Sequence, residues 1–171
     1  MSSAPGPSPR IAPATIDDVP TILRLIKGLA DYEKLSHEVV ADEAALRRTL
    51  FSERPVAEAL LAWVDAEAVG FALFFHNYST FLARPGIYLE DLFVLPEQRG
   101  RGIGRTLLTR LAQIAVERGC GRLEWSVLDW NEPAIRFYKS LGAQPMDEWT
   151  IFRVTGDRLR RLGAPGGAHE A

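Results

Sequence analysis

The 171-residue chain holds one cysteine, Cys120, and three histidines, His37, His76 and His169. A single cysteine makes no internal disulfide. Donors so few and so scattered give no expectation of a zinc or other metal site. No apolar run approaches the roughly 18 residues that a spanning helix needs. The best stretch, Ala57 to Phe75, is broken by Asp65 and Glu67, so no membrane association is expected. The N-terminus lacks the basic-then-apolar layout of a signal peptide, and a cytoplasmic location is the expectation. Excess positive charge is missing too. Twenty basic against 22 acidic residues leave a net charge of −2 and a pI near 5.9, which argues against a nucleic-acid partner.

What remains is an ordinary globular composition, 47% apolar and 25% charged, in a length that suits one domain. Seven of residues 1–9 are Ser, Pro or Gly, and 163–171 look alike, so both ends are expected to be disordered tails around one domain at 10–162. Arg10 to Ala14 reads as a short strand. Thr15 and Asp18, with Pro20 behind them, start a helix whose apolar stripe is Ile22, Leu25, Ile26 and Leu29. Asp42 starts a shorter helix to about Phe51. Leu60 to Val64 and Val69 to Phe75 read as strands around a turn, and Ile87 to Leu95 as a third. Ile103, Leu107, Leu108, Leu111, Ile114 and Ala115 mark an amphipathic helix that ends before Gly119. Leu123 to Leu128 is another strand. Asn131 and Pro133 open a helix to Leu141, and Trp149 to Val154 is read as a last strand. The order β-α-α-β-β-β-α-β-α-β predicts an α/β domain, with a mixed, twisted central sheet flanked by helices.

Between the third strand and the amphipathic helix lies Q-R-G-R-G-I-G, Gln98 to Gly104. Glycines let a backbone come close to a ligand, and a helix N-terminus offers unpaired N–H groups and partial positive charge, together an anion site. Four arginines (Arg99, Arg101, Arg105, Arg110) against Glu97 add a local charge of +3. The alternative is a Gly-rich turn with solvated arginines. A Rossmann G-x-G-x-x-G from Gly100 fails at Arg105, and a P-loop fails there as well.

With Arg99, Gly102 and Gly104 the loop matches the Q/R-x-x-G-x-G/A pattern of the GNAT superfamily of acyl-CoA-dependent N-acetyltransferases, which this chain resembles from about residue 10 to 155. The stretch W-N-E-P-A-I-R-F-Y-K-S-L-G-A, Trp130 to Ala143, is similar to that family's fourth helix. The resemblance implies acetyl-CoA as cosubstrate and no metal. Backbone N–H groups of Arg99, Gly100, Arg101, Gly102, Ile103, Gly104 and Arg105 would hold its pyrophosphate. Leu92, Phe93 and Val94 would bond the pantetheine as a neighbouring strand would. Asn131 would touch the CoA arm, although a plain helix N-cap is an equally physical role and both can hold.

The chemistry needs a base and an acid, because an amine with a pKa of ~10.4 must lose a proton before it attacks and the departing thiolate gains from receiving one. Glu90 and Asp91 stand inside the apolar run Y-L-E-D-L-F-V. Strand alternation would put one carboxylate on each face, and buried unpaired acids are costly. The resemblance implies that Glu90 deprotonates the amine through water and that Tyr138 is the general acid to sulfur. The alternatives are an arginine ion pair for either acid and simple packing for Tyr138, which is spaced with Ile135 and Leu141. Y-L-E-D, L-D-W-N and Asp31-Tyr32-Glu33 resemble the spermidine/spermine and thialysine branch. That likeness places Tyr32, Glu33, Ser79 and Phe81 around a small-molecule amine and implies a homodimer; for Asp91 an arginine ion pair is preferred, or else a place lining the amine pocket. Ser79 and Phe81 replace an acid and a tryptophan of the polyamine enzymes, so a thialysine- or lysine-like amine is expected over spermidine. Two other readings stay open. A protein N-acetyltransferase of the same fold would need an open peptide groove, and a non-catalytic acyl-CoA sensor would need neither Glu90 nor Tyr138.

Overall fold

The structure, a computed structural model, describes residues 8–165. The expected N-terminal tail, 1–9, lies outside the described residues except at its last two positions; that at the C-terminus, 163–171, does so beyond residue 165. The chain forms two compact units, one through Ser126 and one from Val127 onward.

The first unit opens with β1, Arg10–Pro13. Thr15 and Asp18 then form a reciprocal cap, in which Asp18 Oδ2 accepts from the Thr15 backbone N–H at 2.7 Å and from its hydroxyl at 2.9 Å. This satisfies otherwise orphaned groups at a helix start, and α1, Val19–Tyr32, follows with Pro20 in its first turn. Asp42 caps α2, Glu43–Leu50, by accepting from the Ala45 N–H at 2.7 Å. The hairpin of β2, Glu58–Val64, and β3, Glu67–Ser79, closes on two residues only. Asp65 takes the left-handed φ of 54° that such a turn asks for. β4 is Arg84–Val94, α3 is Ile103–Glu117 and β5 is Leu123–Trp125.

The strands lie in the order β1-β2-β3-β4-β5. The first four pair antiparallel and β5 joins β4 in parallel, so the sheet is mixed. On one face α1 and α2 bury Val19, Ile22, Leu25, Leu46 and Leu50 against Leu61, Phe71 and Phe93. The six-residue stripe expected on α3 is buried throughout and covers the opposite face, where Phe74, Ile87 and Leu89 are also buried. Gly28 of α1 sits so close to the sheet that a Cβ there would lie 2.9 Å from Phe93 Cε1.

Two expectations need correction. The strand at Leu123 to Leu128 stops at Trp125, because β5 finds partners only at Ile87 to Leu89. Trp149 to Val154 is not a strand. Alternating apolar residues make one only where another strand offers its N–H and C=O groups, and among the described residues the sheet ends at β5. The second unit consists of α4, Glu132–Ser140, and α5, Gly156–Leu162. The latter was not expected, although Thr155 ahead of it and Arg160 and Arg161 in its last turn are helix-end signals.

The Asp42 cap gives a direct test. Asp42→Ala is expected to cost about 1 kcal/mol and to lower the thermal midpoint by roughly 2–4 °C, measured by circular dichroism.

Candidate active site

In β4 the pairing register slips by one residue. Asp91 lies opposite Leu73 and Leu89 opposite Phe74, so Glu90 is an extra residue with no partner on β3. Such a bulge changes which residues face which side. Before it, Tyr88 shares a face with Phe75, their rings 5.3 Å apart. After it, Asp91 and Phe93 share that face with Leu73 and Phe71, beneath α1. Glu90 and Asp91 therefore stand on one side of the sheet, not on opposite sides as strict alternation required.

Glu33, just past the end of α1, completes the group. Burial pushes its carboxyl above the usual range. Asp91 is raised to about 6, first by burial and then by the negative charges of Glu90 and Glu33. Among the described residues no lysine or arginine pairs with Glu90 or Asp91, so the ion-pair alternative does not hold. Three carboxylates that make no ion pair among the described residues have the charge to draw a cation. Also among the described residues, no group of three or more His, Cys, Asp or Glu is arranged to hold a metal ion.

Among the described residues, the β5 side of β4 has no strand beside it past Leu89. The Leu95 N–H donates to Val69 across β3 at 2.9 Å. By alternation the backbone groups of Phe93 also face β3, while those of Leu92 and Val94 face the open edge. Of the three residues expected to bond an extended ligand, Leu92 and Val94 are thus placed to do so, whereas Phe93 is spent in the sheet.

The edge leads into a 3-10 turn, Pro96–Gln98, and then Gly100 and Gly102, with φ of 76° and 79°. Gly102 is the N-cap of α3 and supplies no side-chain bond. The first N–H groups of the helix, at Ile103, Gly104 and Arg105, thus lack an intrahelical acceptor. A Cβ on Gly100 or Gly102 would meet nothing within 4 Å. An exposed helix start with space over its glycines fits a phosphate-bearing ligand. The arginines are less uniform than their count suggested. Arg110 pairs with Glu117 at 3.0 Å, Arg101 donates to Gln98, and Arg105 is exposed in the first turn of α3. Arg99 turns back onto the protein. Its guanidinium lies 4.3 Å from the Tyr32 ring centre and 5.6 Å from that of Phe93, and its Nε–H donates to the Val94 carbonyl at 3.0 Å.

Ser79 and Phe81 are not brought to the acids within one chain. They sit at the β3–β4 tip, where the Leu82 N–H donates to Ser79 Oγ at 3.3 Å and Phe81 is 98% exposed. Along β4 that tip is roughly 20 Å from Glu90. Asn131 and Tyr138 belong to the second unit. Asn131 is buried and caps α4, its Oδ1 accepting from the Ala134 N–H at 3.4 Å. Tyr138 is half-buried beside Phe137, ring centres 5.4 Å apart.

The family model for "Acetyltransferase (GNAT) family" matches residues 26–143, a span that contains the bulged strand, the glycine loop and α4. The chain belongs to the GNAT family. This GNAT protein is accordingly an acetyl-CoA-dependent N-acetyltransferase. It is 40% identical to the thialysine N-epsilon-acetyltransferase of Mus musculus over 91% of its own length and 97% of that protein. With the L-ornithine N5-acetyltransferase of Arabidopsis thaliana it shares 36% identity, over 90% of this chain and 87% of that one. Among solved structures, an integron cassette protein from Vibrio cholerae superposes with a TM-score of 0.78 and 29% identity, covering 94% of this chain and all of that one.

The raised Asp91 makes a pH-dependent prediction. Its folded pKa of about 6 exceeds the reference 3.8, so the folded state binds the proton more tightly. Its contribution to stability is fully present at pH below the reference value and is lost as pH rises through the folded pKa. Asp91→Asn removes that loss. The variant is expected to gain on the order of 1–2 kcal/mol at pH 8, after discounting for partial exposure, and nothing at pH 4, as read by urea denaturation at both values.

Proposed function

We propose that this enzyme moves the acetyl group of acetyl-CoA onto a primary amine of a short, amino-acid-like small molecule such as thialysine, lysine or ornithine. The observation that carries the reading is the set Glu33, Glu90 and Asp91, which act on one another through their charges and make no ion pair among the described residues. The names of the mouse and Arabidopsis relatives support the substrate class.

An ammonium ion is drawn to the three carboxylates, with Tyr32, the residue before Glu33, as part of the same amine site. Glu90, the exposed member, takes the amine's proton through a water molecule. Asp91, raised to about 6, exchanges protons near neutrality, where a carboxyl at its ordinary pKa would not. Acetyl-CoA supplies the activated thioester. The α3 N-terminus, with the backbone of Arg99 to Arg105, holds its pyrophosphate. Leu92 and Val94 present backbone groups to the pantetheine arm, and Asn131 contacts that arm while capping α4. The freed amine attacks the acetyl carbonyl, the carbon–sulfur bond breaks, and Tyr138 protonates the sulfur. A phenol near ~10 is a weaker acid than a thiol near ~8.5, so Tyr138 transfers its proton in concert with cleavage.

Two measurements test this. Thiol release from acetyl-CoA is expected to show kcat/KM for thialysine at least about tenfold above that for spermidine. A missing partner for each further ammonium costs on the order of 1–3 kcal/mol. A preference for spermidine overturns the substrate, and no transfer to any amine overturns the reading. Tyr138→Phe is expected to lower kcat by roughly 10²-fold with unchanged acetyl-CoA affinity by calorimetry. A wild-type kcat makes Tyr138 a packing residue.

A further inference from the structure

Arg99 belongs by sequence to the glycine loop, yet its side chain points away from the helix start. Three contacts define where it goes. The guanidinium carbon lies over the Tyr32 ring at 4.3 Å and over Phe93 at 5.6 Å, and Nε–H holds the Val94 carbonyl at 3.0 Å. Tyr32 is the last residue of α1 and Glu33 is its C-cap. Phe93 is the ring that α1 rides on at Gly28, where a Cβ would lie 2.9 Å from the ring and force it to shift. The end of α1 closes with the Lys34 N–H donating to the Asp31 carbonyl at 3.1 Å and the Leu35 N–H to the Ala30 carbonyl at 2.8 Å. Its last turn contains no basic residue, and the residue after the cap, Lys34, holds a left-handed φ of 62° that a lysine adopts at a cost. Arg99 is thus a bracket from the loop and the β4 edge to the helix end that carries Glu33.

We propose that Arg99 is a positioning residue for the amine. Through Tyr32 it fixes the end of α1, and with it Glu33, against β4, so that acceptor binding is coupled to the order of the 96–102 loop. The proposal rests on the acids being the amine site. A guanidinium stacked on an aromatic face holds a defined plane, and coupling between two sites is reciprocal. An acyl donor that orders the loop therefore tightens amine binding, and a bound amine tightens the donor to the same degree.

The test separates this role from that of a phosphate-binding cation. Arg99→Gln keeps a donor of similar reach but removes the charge and the stack. Tyr32→Leu keeps apolar bulk and removes the ring. Each is expected to raise the amine KM by about 3- to 30-fold, with acetyl-CoA Kd by calorimetry, in the absence of amine, within about threefold of wild type. The double variant is expected to match the worse single one, since both cut the same link. Arg99→Lys, still a cation over the rings, falls between. Hydrogen exchange at residues 28–33 rises in both single variants, a readout independent of turnover. The proposal is overturned if Arg99→Gln weakens acetyl-CoA as much as the amine. It also fails if the two single effects multiply in the double variant, or if exchange at 28–33 is unchanged. Wild-type protein that transfers nothing to thialysine overturns the amine reading instead, and the exchange result still decides whether the bracket exists.

Discussion

Glu90 has no partner across from it on β3, and much of the chemistry rests on that one extra residue. A strand without the bulge would send Glu90 and Asp91 to opposite faces, one of them beneath α3 among Phe74, Ile87 and Leu89. A carboxylate buried there without a partner would cost several kcal/mol or stay protonated. The bulge instead places both acids on the side where α1 ends, beside Glu33. β5 also stops pairing with β4 just before Glu90, so that among the described residues Leu92 and the Val94 N–H face an edge without a strand, while the Val94 carbonyl accepts from Arg99. A cation site and an edge for an extended ligand thus start at one point in the sheet.

The two halves of that arrangement have opposite electrostatics. Around Asp91 like charges and burial accumulate, and the carboxyl rises to about 6. At the start of α3 the helix dipole and open N–H groups favour negative charge. An acetyltransferase needs both, since one substrate arrives as an ammonium ion and the other carries phosphates. Arg99 stands between them. It is a residue of the loop by sequence and a neighbour of Tyr32 in space.

Where the signal was local, the sequence was a sound guide. The Thr15–Asp18 and Asp42 caps, the α1 stripe, the α3 stripe and the glycine loop before α3 all depend on residues within a few positions of one another, and each forms as expected. The Trp149 to Val154 strand was not legible because strand formation is settled by a partner elsewhere in the chain. The family resemblance put Ser79 and Phe81 around the amine, and the length of the β3–β4 hairpin carries them away from the acids of their own chain.

Residue types and local periodicity by themselves determined the α/β class, the helix starts, the glycine loop ahead of α3 and the presence of two unpaired-looking acids in an apolar strand. Two glycines at positive φ before an amphipathic helix can be read from neighbours alone. Only the tertiary structure decided that Glu90 and Asp91 share a face, that Glu33 joins them, that Phe93 is spent in the sheet while Leu92 and Val94 face its edge, and that Arg99 stacks on Tyr32. Each of these depends on register between β3 and β4 or on where α1 ends over them. Register is a relation between distant segments, and a slip of one residue leaves no mark in either segment's own pattern.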